Sequence, residues 1–142
     1  MINSALVTGG NSFIGIHLVS ELIRRDVSTS VYVRCIKTIP DEWIGKVKVI
    51  EGDIIDNNSL LNLGDKFDVV FHLAAYVHKT PKSDDEKKYV FAVNVEGTKN
   101  LLESLSDSVG NIVFFSSVSV YGNDMGRNLD EDTSTNPTTL YG

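Results

Sequence analysis

The sequence has few of the residues that stabilise secreted or membrane-spanning proteins. Cys35 is the only cysteine among 142 residues, so no disulfide can form within the chain. No apolar run reaches the roughly 18 residues that a membrane-spanning helix needs, and the first residues lack the basic and apolar segments of a secretory signal. These absences predict a soluble protein of the reducing cytoplasm, with no membrane as a partner.

The chain also lacks a block of basic residues. Its 13 Lys and Arg residues are outnumbered by 19 Asp and Glu residues, which gives a formal net charge of −6. An acidic chain without a basic patch is a poor partner for nucleic acid and for anionic membrane surfaces. We therefore expect neither of them as a general partner.

What the chain does contain is a glycine-rich turn almost at its start. The segment Thr8–Gly15 reads TGGNSFIG; an apolar run precedes it, and helical spacing of apolar residues begins near Phe13. A strand, a glycine turn and a helix together present free backbone N–H groups and a positive helix end to a pyrophosphate. Gly9 would allow the tight turn and Gly15 the close approach of helix and strand, whereas Ser12 replaces the middle glycine of the motif. The turn indicates dinucleotide binding, and an ordinary strand–turn–helix connection is the alternative.

Apolar runs and helical patterns alternate along the chain. Strands are predicted at Ser4–Thr8, Ser30–Arg34, Val47–Glu51, Phe67–Leu73 and Asn111–Ser116. Helices are predicted at Phe13–Arg25, at a short segment through Leu63 that Asn57 or Asn58 would cap, and at Asp85–Leu105. Strands that are separated mainly by helices require right-handed crossovers, which give a parallel sheet covered on both faces. The predicted fold class is α/β: a doubly wound, Rossmann-type parallel sheet of five strands with helices on both faces. Its ligands are expected at the carboxyl ends of the strands.

Six short stretches, each just after or within these elements, together resemble the extended short-chain dehydrogenase/reductase family, the epimerases and dehydratases of nucleotide sugars. In the order in which the family has them, they are Thr8–Gly15, Gly52–Ile54, His72–Ala75, Asn94–Thr98, Ser116–Gly122 and Tyr141–Gly142. The resemblance covers the whole chain. It implies NAD or NADP as the cofactor, a nucleotide-diphosphate sugar as the substrate, and a homodimer for the full-length parent.

The resemblance also implies which residues contact the cofactor. Asp53 would accept a hydrogen bond from the adenine amino group, the small side chains after the fourth strand would let the backbone approach the ribose, and Asn94 would tie a helix to a strand near the active site. The expected cofactor-binding residues are Gly9, Ser12, Phe13, Ile14, Gly15, Arg34, Asp53, Ile54, Leu73, Ala74, Ala75 and Asn94. The residue types alone leave a turn-capping role for Asp53 and plain packing for the alanines open. His72 is expected to be a hydrogen-bonded residue of the sheet and not a catalyst.

Two basic residues after the second strand bear on the choice between NAD and NADP. An acidic residue about 20 positions beyond the glycines would bind the ribose 2′-hydroxyl of NAD. This chain has Arg34 and Lys37 in that region, where they could face a 2′-phosphate. NADP is therefore slightly favoured and NAD is kept; two basic residues on an exposed loop are the alternative.

Ser117 and Tyr141 are the predicted catalytic residues. Ser117 follows the fifth strand, and Tyr141 lies 24 positions later, close to the interval between the catalytic Ser and Tyr of the family. A phenol normally has a pKa near 10, so it needs help to act as a base at neutral pH; in the family a Lys four residues beyond the Tyr gives that help together with the nicotinamide charge. The chain ends at Gly142, before that position. We interpret residues 1–142 as an N-terminal NAD(P)-binding domain without its substrate domain, inactive by itself. Tyr121 is the competing candidate for the base.

The substrate is implied by resemblance only. The region around His78 and Lys79 is similar to that of enzymes acting on UDP-linked amino sugars and deoxysugars, including 4-epimerases and 4-keto-reductases. His78 and Lys79 would then approach the sugar or its diphosphate, and an exposed loop is the alternative. A second functional hypothesis is a non-catalytic dinucleotide-binding or redox-sensing module of the same fold. The presence of both Ser117 and Tyr141 favours the enzyme.

Overall fold

A computed structural model describes residues 1–64, 66–77, 81–105, 109–122 and 128–142. Five strands form one sheet: β1 (Ser4–Thr8), β2 (Ser28–Val33), β3 (Lys48–Glu51), β4 (Phe67–His72) and β5 (Val109–Phe114). Their order across the sheet is β3-β2-β1-β4-β5, and every neighbouring pair is parallel. The doubly wound parallel sheet predicted from the sequence is confirmed. His78 and Lys79 lie outside the described residues.

In the described residues four α-helices lie between the strands: α1 (Phe13–Arg24), α2 (Asn57–Leu60), α3 (Asp84–Phe91) and α4 (Gly97–Leu105). The N-cap of α2 is Asp56 and not Asn57 or Asn58, because the Asp56 carboxylate accepts the Asn58 amide at 3.0 Å. A 3₁₀ turn, Leu61–Leu63, extends α2, and a π-helical turn, Ala92–Glu96, joins α3 to α4. The long helix predicted at Asp85–Leu105 is therefore one helical segment with a π turn inside it, which the apolar spacing did not indicate. Ser83 caps α3 by accepting a hydrogen bond from the Glu86 amide at 3.2 Å, and acidic residues in the first turn favour the positive helix end.

The core lies on both faces of the sheet, because successive strand residues point to opposite sides. On one face, Ala5 and Val7 of β1 pack with residues of α1 and with the buried Trp43. On the other face, Leu6 of β1 packs with residues of α2 and α4, among them Leu101. The predicted covering of both faces by helices is confirmed, and it explains why the central strands are almost wholly apolar.

The bounds of β2, β3, β4 and β5 differ from the sequence prediction by one or two residues. β2 begins at Ser28 and not at Ser30, because it pairs with β1 from Ser4↔Ser28 onward. It ends at Val33, so Arg34 is the first residue after the strand. The first residues of β2 are polar, so the apolar pattern did not indicate the start of this strand. Thr29 is nevertheless only 3% exposed.

The outer strand β5 is less covered than the rest of the sheet. Phe114 of β5 is 57% exposed, whereas Val70 of the neighbouring β4 is fully buried. β5 pairs only with β4 among the described strands. No helix in the described part of the chain is long and apolar enough to cross a membrane.

Candidate functional site

A cleft runs along the carboxyl ends of the strands. It consists of three cavities of about 270, 350 and 220 Å³ that share lining residues and are here called the first, second and third cavity. The residue that directly follows each strand lines the cleft: Gly9 after β1, Arg34 after β2, Gly52 after β3, Leu73 after β4 and Phe115 after β5. Because all five strands are parallel, these positions meet at one edge of the sheet, where doubly wound folds bind ligands.

The structure brings most of the predicted site residues to this cleft. The first cavity is lined by Gly9, Ser12, Arg34, Asp53, Ile54, Leu73, Ala74 and Ala75. Phe13 and Ile14 line the second cavity, and Asn94 and Ser117 line the third, while Tyr141 borders both. Gly15 is buried and lies outside the lining of all three cavities, so it acts through packing.

Gly9 and Gly15, on either side of the turn between β1 and α1, have no room for a side chain. Gly9 has a φ of +67°, which L side chains rarely adopt, and a Cβ there would lie 2.8 Å from the Ala74 nitrogen. A Cβ on Gly15 would lie 2.5 Å from the carbonyl oxygens of Gly9 and Gly10. The turn therefore packs directly against the segment after β4. The part of the first cavity beside Gly9 is here called the glycine cradle, and any Cβ on Gly9 would disturb it. This cradle fits the backbone approach that a pyrophosphate requires.

Ser12, which stands where the motif has its middle glycine, is the N-cap of α1. Its hydroxyl accepts a hydrogen bond from the Gly15 amide at 3.1 Å, and its carbonyl accepts the first helical bond, from Ile16, at 2.9 Å. The amides of Phe13 and Ile14 precede that first bond, so the helix itself gives them no acceptor. Both residues line the second cavity, where these amides and the positive helix end favour an anion.

Asp53 is held at the first cavity by its own turn. Its Oδ1 accepts a hydrogen bond from the Ile55 amide at 3.2 Å, and its carbonyl accepts one from the Ser59 hydroxyl at 2.8 Å. The Ser59 oxygen lies 2.6 Å from the hydroxyl of Tyr32, which also lines the cavity. Burial raises the pKa of Tyr32, so the phenol stays protonated and can donate to Ser59. Tyr32 was not predicted as a site residue, because it lies in the apolar second half of β2.

Of the two basic residues after β2, Arg34 lines the first cavity and Lys37 lies in the next 3₁₀ turn, outside that lining. The Arg34 Nη1 lies 3.2 Å from the hydroxyl oxygen of Tyr89 on α3. Tyr89 in turn makes an edge-to-face contact with Tyr76, at 5.5 Å between ring centroids. Tyr76 also lines the cavity, so an aromatic pair that is distant from Arg34 in the sequence supports its side chain. No sequence motif indicated either tyrosine.

His72, the last residue of β4, is buried and hydrogen-bonded on both ring nitrogens. Its Nδ1 lies 2.7 Å from the Thr8 hydroxyl, and its Nε2 lies 2.9 Å from the Thr98 hydroxyl. Burial lowers the pKa of His72 to about 4, so the ring is neutral at physiological pH. The position agrees with the sequence expectation of a hydrogen-bonded sheet residue.

We expect His72 to make folding stability depend on pH. The folded pKa of about 4 lies below the ordinary value of 6.5, so the unfolded chain binds the proton first. The free energy of unfolding is then fully retained above about pH 6.5 and falls as the pH drops toward 4, by up to about 3 kcal/mol. Urea unfolding between about pH 7.5 and 4.5 measures this loss.

The control for this pH dependence is the exposed His17 on the surface of α1. His72→Asn should flatten the slope of stability against pH, and His17→Gln controls for the loss of a histidine that is exposed. An NMR titration of the His72 ring is the second measurement, independent of whether the variant folds. A ring that titrates near 6.5 would contradict the prediction.

Asn94 lies in the π-helical turn and ties it to the segment after β4. Its Oδ1 accepts a hydrogen bond from the Tyr76 amide at 2.7 Å, and its Nδ2 donates one to the Tyr76 carbonyl at 3.1 Å. Asn is disfavoured inside a helix, and this paired contact accounts for its presence. The tie agrees with the role that the resemblance implied.

Ser117 and Tyr141 line the same third cavity, although 24 positions separate them in the sequence. The Ser117 oxygen lies 3.2 Å from the Ser119 hydroxyl and accepts the Ser119 amide at 3.2 Å, so it caps the 3₁₀ turn Val118–Tyr121. Tyr141 is 42% exposed. The competing Tyr121 donates its hydroxyl to the Asp130 carbonyl at 2.9 Å, outside the lining of the cleft. Of these two tyrosines, Tyr141 lines the cleft and Tyr121 does not.

The parallel sheet with helices on both faces and the cleft at the strand ends define a Rossmann-type fold. Residues 5–142 match the NAD dependent epimerase/dehydratase family, and the chain belongs to that family.

Several relatives support this assignment. The chain is 34% identical over 126 residues to the UDP-N-acetyl-alpha-D-glucosaminuronate decarboxylase of Bacillus cytotoxicus, with 86% of this chain and 39% of the relative covered. It is 33% identical over 144 residues to the UDP-glucose 4-epimerase of Lactobacillus helveticus, with 96% and 42% covered. A solved structure of MoeE5 in complex with UDP-glucose and NAD is 33% identical, with a TM-score of 0.82 and 98% and 44% covered. The chain thus spans about two fifths of the length of these relatives.

Proposed function

We propose that the chain is the NAD(P)-binding part of an oxidoreductase that transfers hydride at a sugar carbon of a UDP-hexose, as a 4-epimerase or a 4-keto-reductase. The observation that carries this proposal is the continuous cleft, in which the glycine cradle at Gly9 and the pair Ser117 and Tyr141 line connected cavities. The relatives named above, which act on or bind UDP-sugars, support the substrate class.

Each part of the cleft has a role in this proposal. Bound NAD would supply the hydride acceptor. The turn at Gly9 and the amides of Phe13 and Ile14 bind the pyrophosphate, and Asp53 accepts a hydrogen bond from the adenine amino group. Tyr141 takes the proton from the sugar hydroxyl, and Ser117 hydrogen-bonds the same oxygen.

We further propose that the 142 residues by themselves bind the dinucleotide but do not turn over a sugar. The cleft lacks, within the described residues, a cation beside Tyr141: neither Arg34 nor another basic side chain lines the second or third cavity. A phenol base needs such a neighbour at neutral pH, and we place it on a longer chain, four residues after Tyr141. For the whole protein we also propose a homodimer and a cytoplasmic location.

The test of this function begins with NAD binding by the purified chain, measured by calorimetry, followed by turnover assays of a chain extended by its native continuation. UDP-glucose and its 4-keto derivative are the substrates, and the sugars are followed by chromatography. Dinucleotide binding without any turnover by the extended chain would favour the non-catalytic, redox-sensing module instead. Oxidation of a steroid alcohol in place of the sugar would contradict the substrate class.

Cofactor choice is tested separately. Arg34→Ala should weaken NADP binding by about 1–3 kcal/mol, because a charge-assisted contact to the 2′-phosphate is lost, and should leave NAD binding nearly unchanged. Lys37→Ala is the matched control, since Lys37 lies outside the lining of the first cavity. Calorimetric titration with each nucleotide gives the comparison. Equal losses for NAD and NADP would assign Arg34 a packing role against Tyr89.

A further inference from the structure

Five groups from three separate stretches of the sequence form one chain of hydrogen bonds beside the cleft, here called the His72 network. It runs from the Ala74 amide to the Thr8 hydroxyl (3.2 Å), to His72 Nδ1 (2.7 Å), from His72 Nε2 to the Thr98 hydroxyl (2.9 Å), and on to the Asn94 carbonyl (2.8 Å). Thr8 and His72 are 0% and 2% exposed. The central pair of the network is therefore shielded from water, whereas Ala74, Asn94 and Thr98 are half-buried and line the third cavity.

The contact of the Thr98 hydroxyl with the Asn94 carbonyl gives the hydrogen bonds of this network one consistent direction. Thr98 donates its single hydroxyl proton to the Asn94 carbonyl, so its oxygen can only accept from His72 Nε2–H. Nδ1 is then the unprotonated nitrogen and accepts the Thr8 proton. The Thr8 oxygen, having given its proton, accepts from the Ala74 amide. The neighbouring groups thus assign the Nε2–H tautomer to His72.

The network connects the three elements that surround the cleft. Thr8 directly precedes the Gly9 turn, His72 ends β4, and Thr98 lies in the first turn of α4. The segment after β4 is then fixed twice, at Ala74 by Thr8 and at Tyr76 by the side chain of Asn94. Ala74 is also the residue that a Cβ on Gly9 would touch, so this hydrogen bond joins the two walls of the cradle, next to the backbone bond from the Leu73 amide to the Thr8 carbonyl at 3.2 Å.

We propose that His72, held as the Nε2–H tautomer between Thr8 and Thr98, is a positioning residue that sets the distance between the glycine turn and the Ala74–Tyr76 segment for dinucleotide binding. It acts through Thr8 and Ala74 and does not itself line the cleft. The inference rests on the proposed function in that NAD is the ligand whose affinity depends on this spacing. The tautomer and the protection of the Ala74 amide are properties of the chain without nucleotide.

The first measurement is the tautomer itself. Long-range ¹H–¹⁵N NMR spectra of the nucleotide-free chain distinguish the two neutral forms of an imidazole ring, and His72→Asn identifies the signal. We expect a single Nε2–H form for His72. An Nδ1–H ring, or a ring averaged between both tautomers, would overturn the proposal.

The second measurement removes the Thr98 hydroxyl, the group that is hydrogen-bonded to His72 Nε2. In Thr98→Val, which keeps the shape and removes the hydroxyl, we expect a mixture of tautomers at His72 and amide exchange at Ala74 that is about tenfold faster. Thr98→Ser should restore both. Thr29→Val is the matched control, because Thr29 is 3% exposed and its hydroxyl donates only to the nearby Val27 carbonyl. Unchanged exchange at Ala74 in Thr98→Val, or an equal change in Thr29→Val, would overturn the proposal.

Measurement of NAD affinity distinguishes a failure of this proposal from a failure of the proposed function. We expect the Kd for NAD to rise about tenfold in Thr98→Val and to recover in Thr98→Ser, as the loss of one effective hydrogen bond implies. If the unaltered chain binds no NAD but keeps the single tautomer and the protected Ala74 amide, the proposed function is wrong. If the chain binds NAD with the same Kd before and after Thr98→Val, the positioning role is wrong and the proposed function stands.

Discussion

Replacing Gly9 with valine is expected to abolish NAD binding by the chain. The residue has a φ of +67°, and a Cβ would lie 2.8 Å from the Ala74 nitrogen and 3.0 Å from the Leu73 carbonyl carbon. These are backbone atoms that cannot rotate away, so the added side chain must push the turn away from the segment after β4 or fill the cradle. We expect NAD affinity to fall by roughly a hundredfold or more, which is about 3 kcal/mol, measured by isothermal calorimetry.

Gly45→Val is the matched control for this experiment. Gly45 also has a positive φ, of +76°, but a Cβ there meets no atom within 4 Å. Both variants therefore carry the backbone strain of a left-handed conformation, whereas only Gly9→Val alters the cradle. Thermal unfolding of each variant gives the cost of that strain. Unchanged NAD affinity in a folded Gly9→Val protein would remove the glycine turn from the proposed binding site.

The second large effect is expected at Tyr141. In a chain extended by its native continuation, Tyr141→Phe should lower kcat for a UDP-hexose by about 10²–10⁴-fold, because the proton acceptor is lost while the ring is kept. NAD affinity should change little, since Tyr141→Phe keeps the ring that borders the second cavity and removes only the hydroxyl assigned to the sugar. The 142-residue chain itself should show no turnover. Single-turnover assays of both lengths, with chromatography of the sugar, measure these effects.

Tyr121→Phe is the natural control, because Tyr121 is the competing tyrosine. Its hydroxyl donates to the Asp130 carbonyl, so its removal should affect a surface loop and leave kcat unchanged. Retained activity in extended Tyr141→Phe together with lost activity in Tyr121→Phe would reverse the assignment of the base. Turnover by the 142-residue chain would contradict the proposed need for a cation beyond it.

The elements that the sequence predicted best are those with a strong local signal. β1 was predicted at its observed bounds, Ser4–Thr8, because an apolar run stands between polar residues and a glycine turn. The start of β2 was missed because its first residues are polar, and they are strand residues only through pairing with β1. The π turn Ala92–Glu96 was also missed, because a widened turn changes hydrogen bonding without changing the apolar pattern.

The candidate site divides in the same way. Motif residues such as Gly9 and Asp53 were named from the sequence because their role depends on a local turn, and the structure places both in the first cavity. Gly15 and Ser12 were also named, but their tasks differ: one is packed behind the turn and the other caps α1. The support for Arg34 by Tyr89 was not found, because 55 positions separate the two residues.

The sequence by itself determined the alternation of strands and helices, the glycine turn and the order of the family's short motifs. Each strand, helix, turn or motif is specified by residues that are close together in the sequence. Only the tertiary structure decided the strand order, the joining of three cavities into one cleft, and the hydrogen bonds that connect Thr8, His72 and Thr98. The physical reason is distance along the chain: Thr8 and His72 are 64 positions apart, and His72 and Thr98 are 26 apart. Such contacts form when β1 pairs with β4 and α4 packs on the sheet, and no local pattern specifies which polar groups then meet.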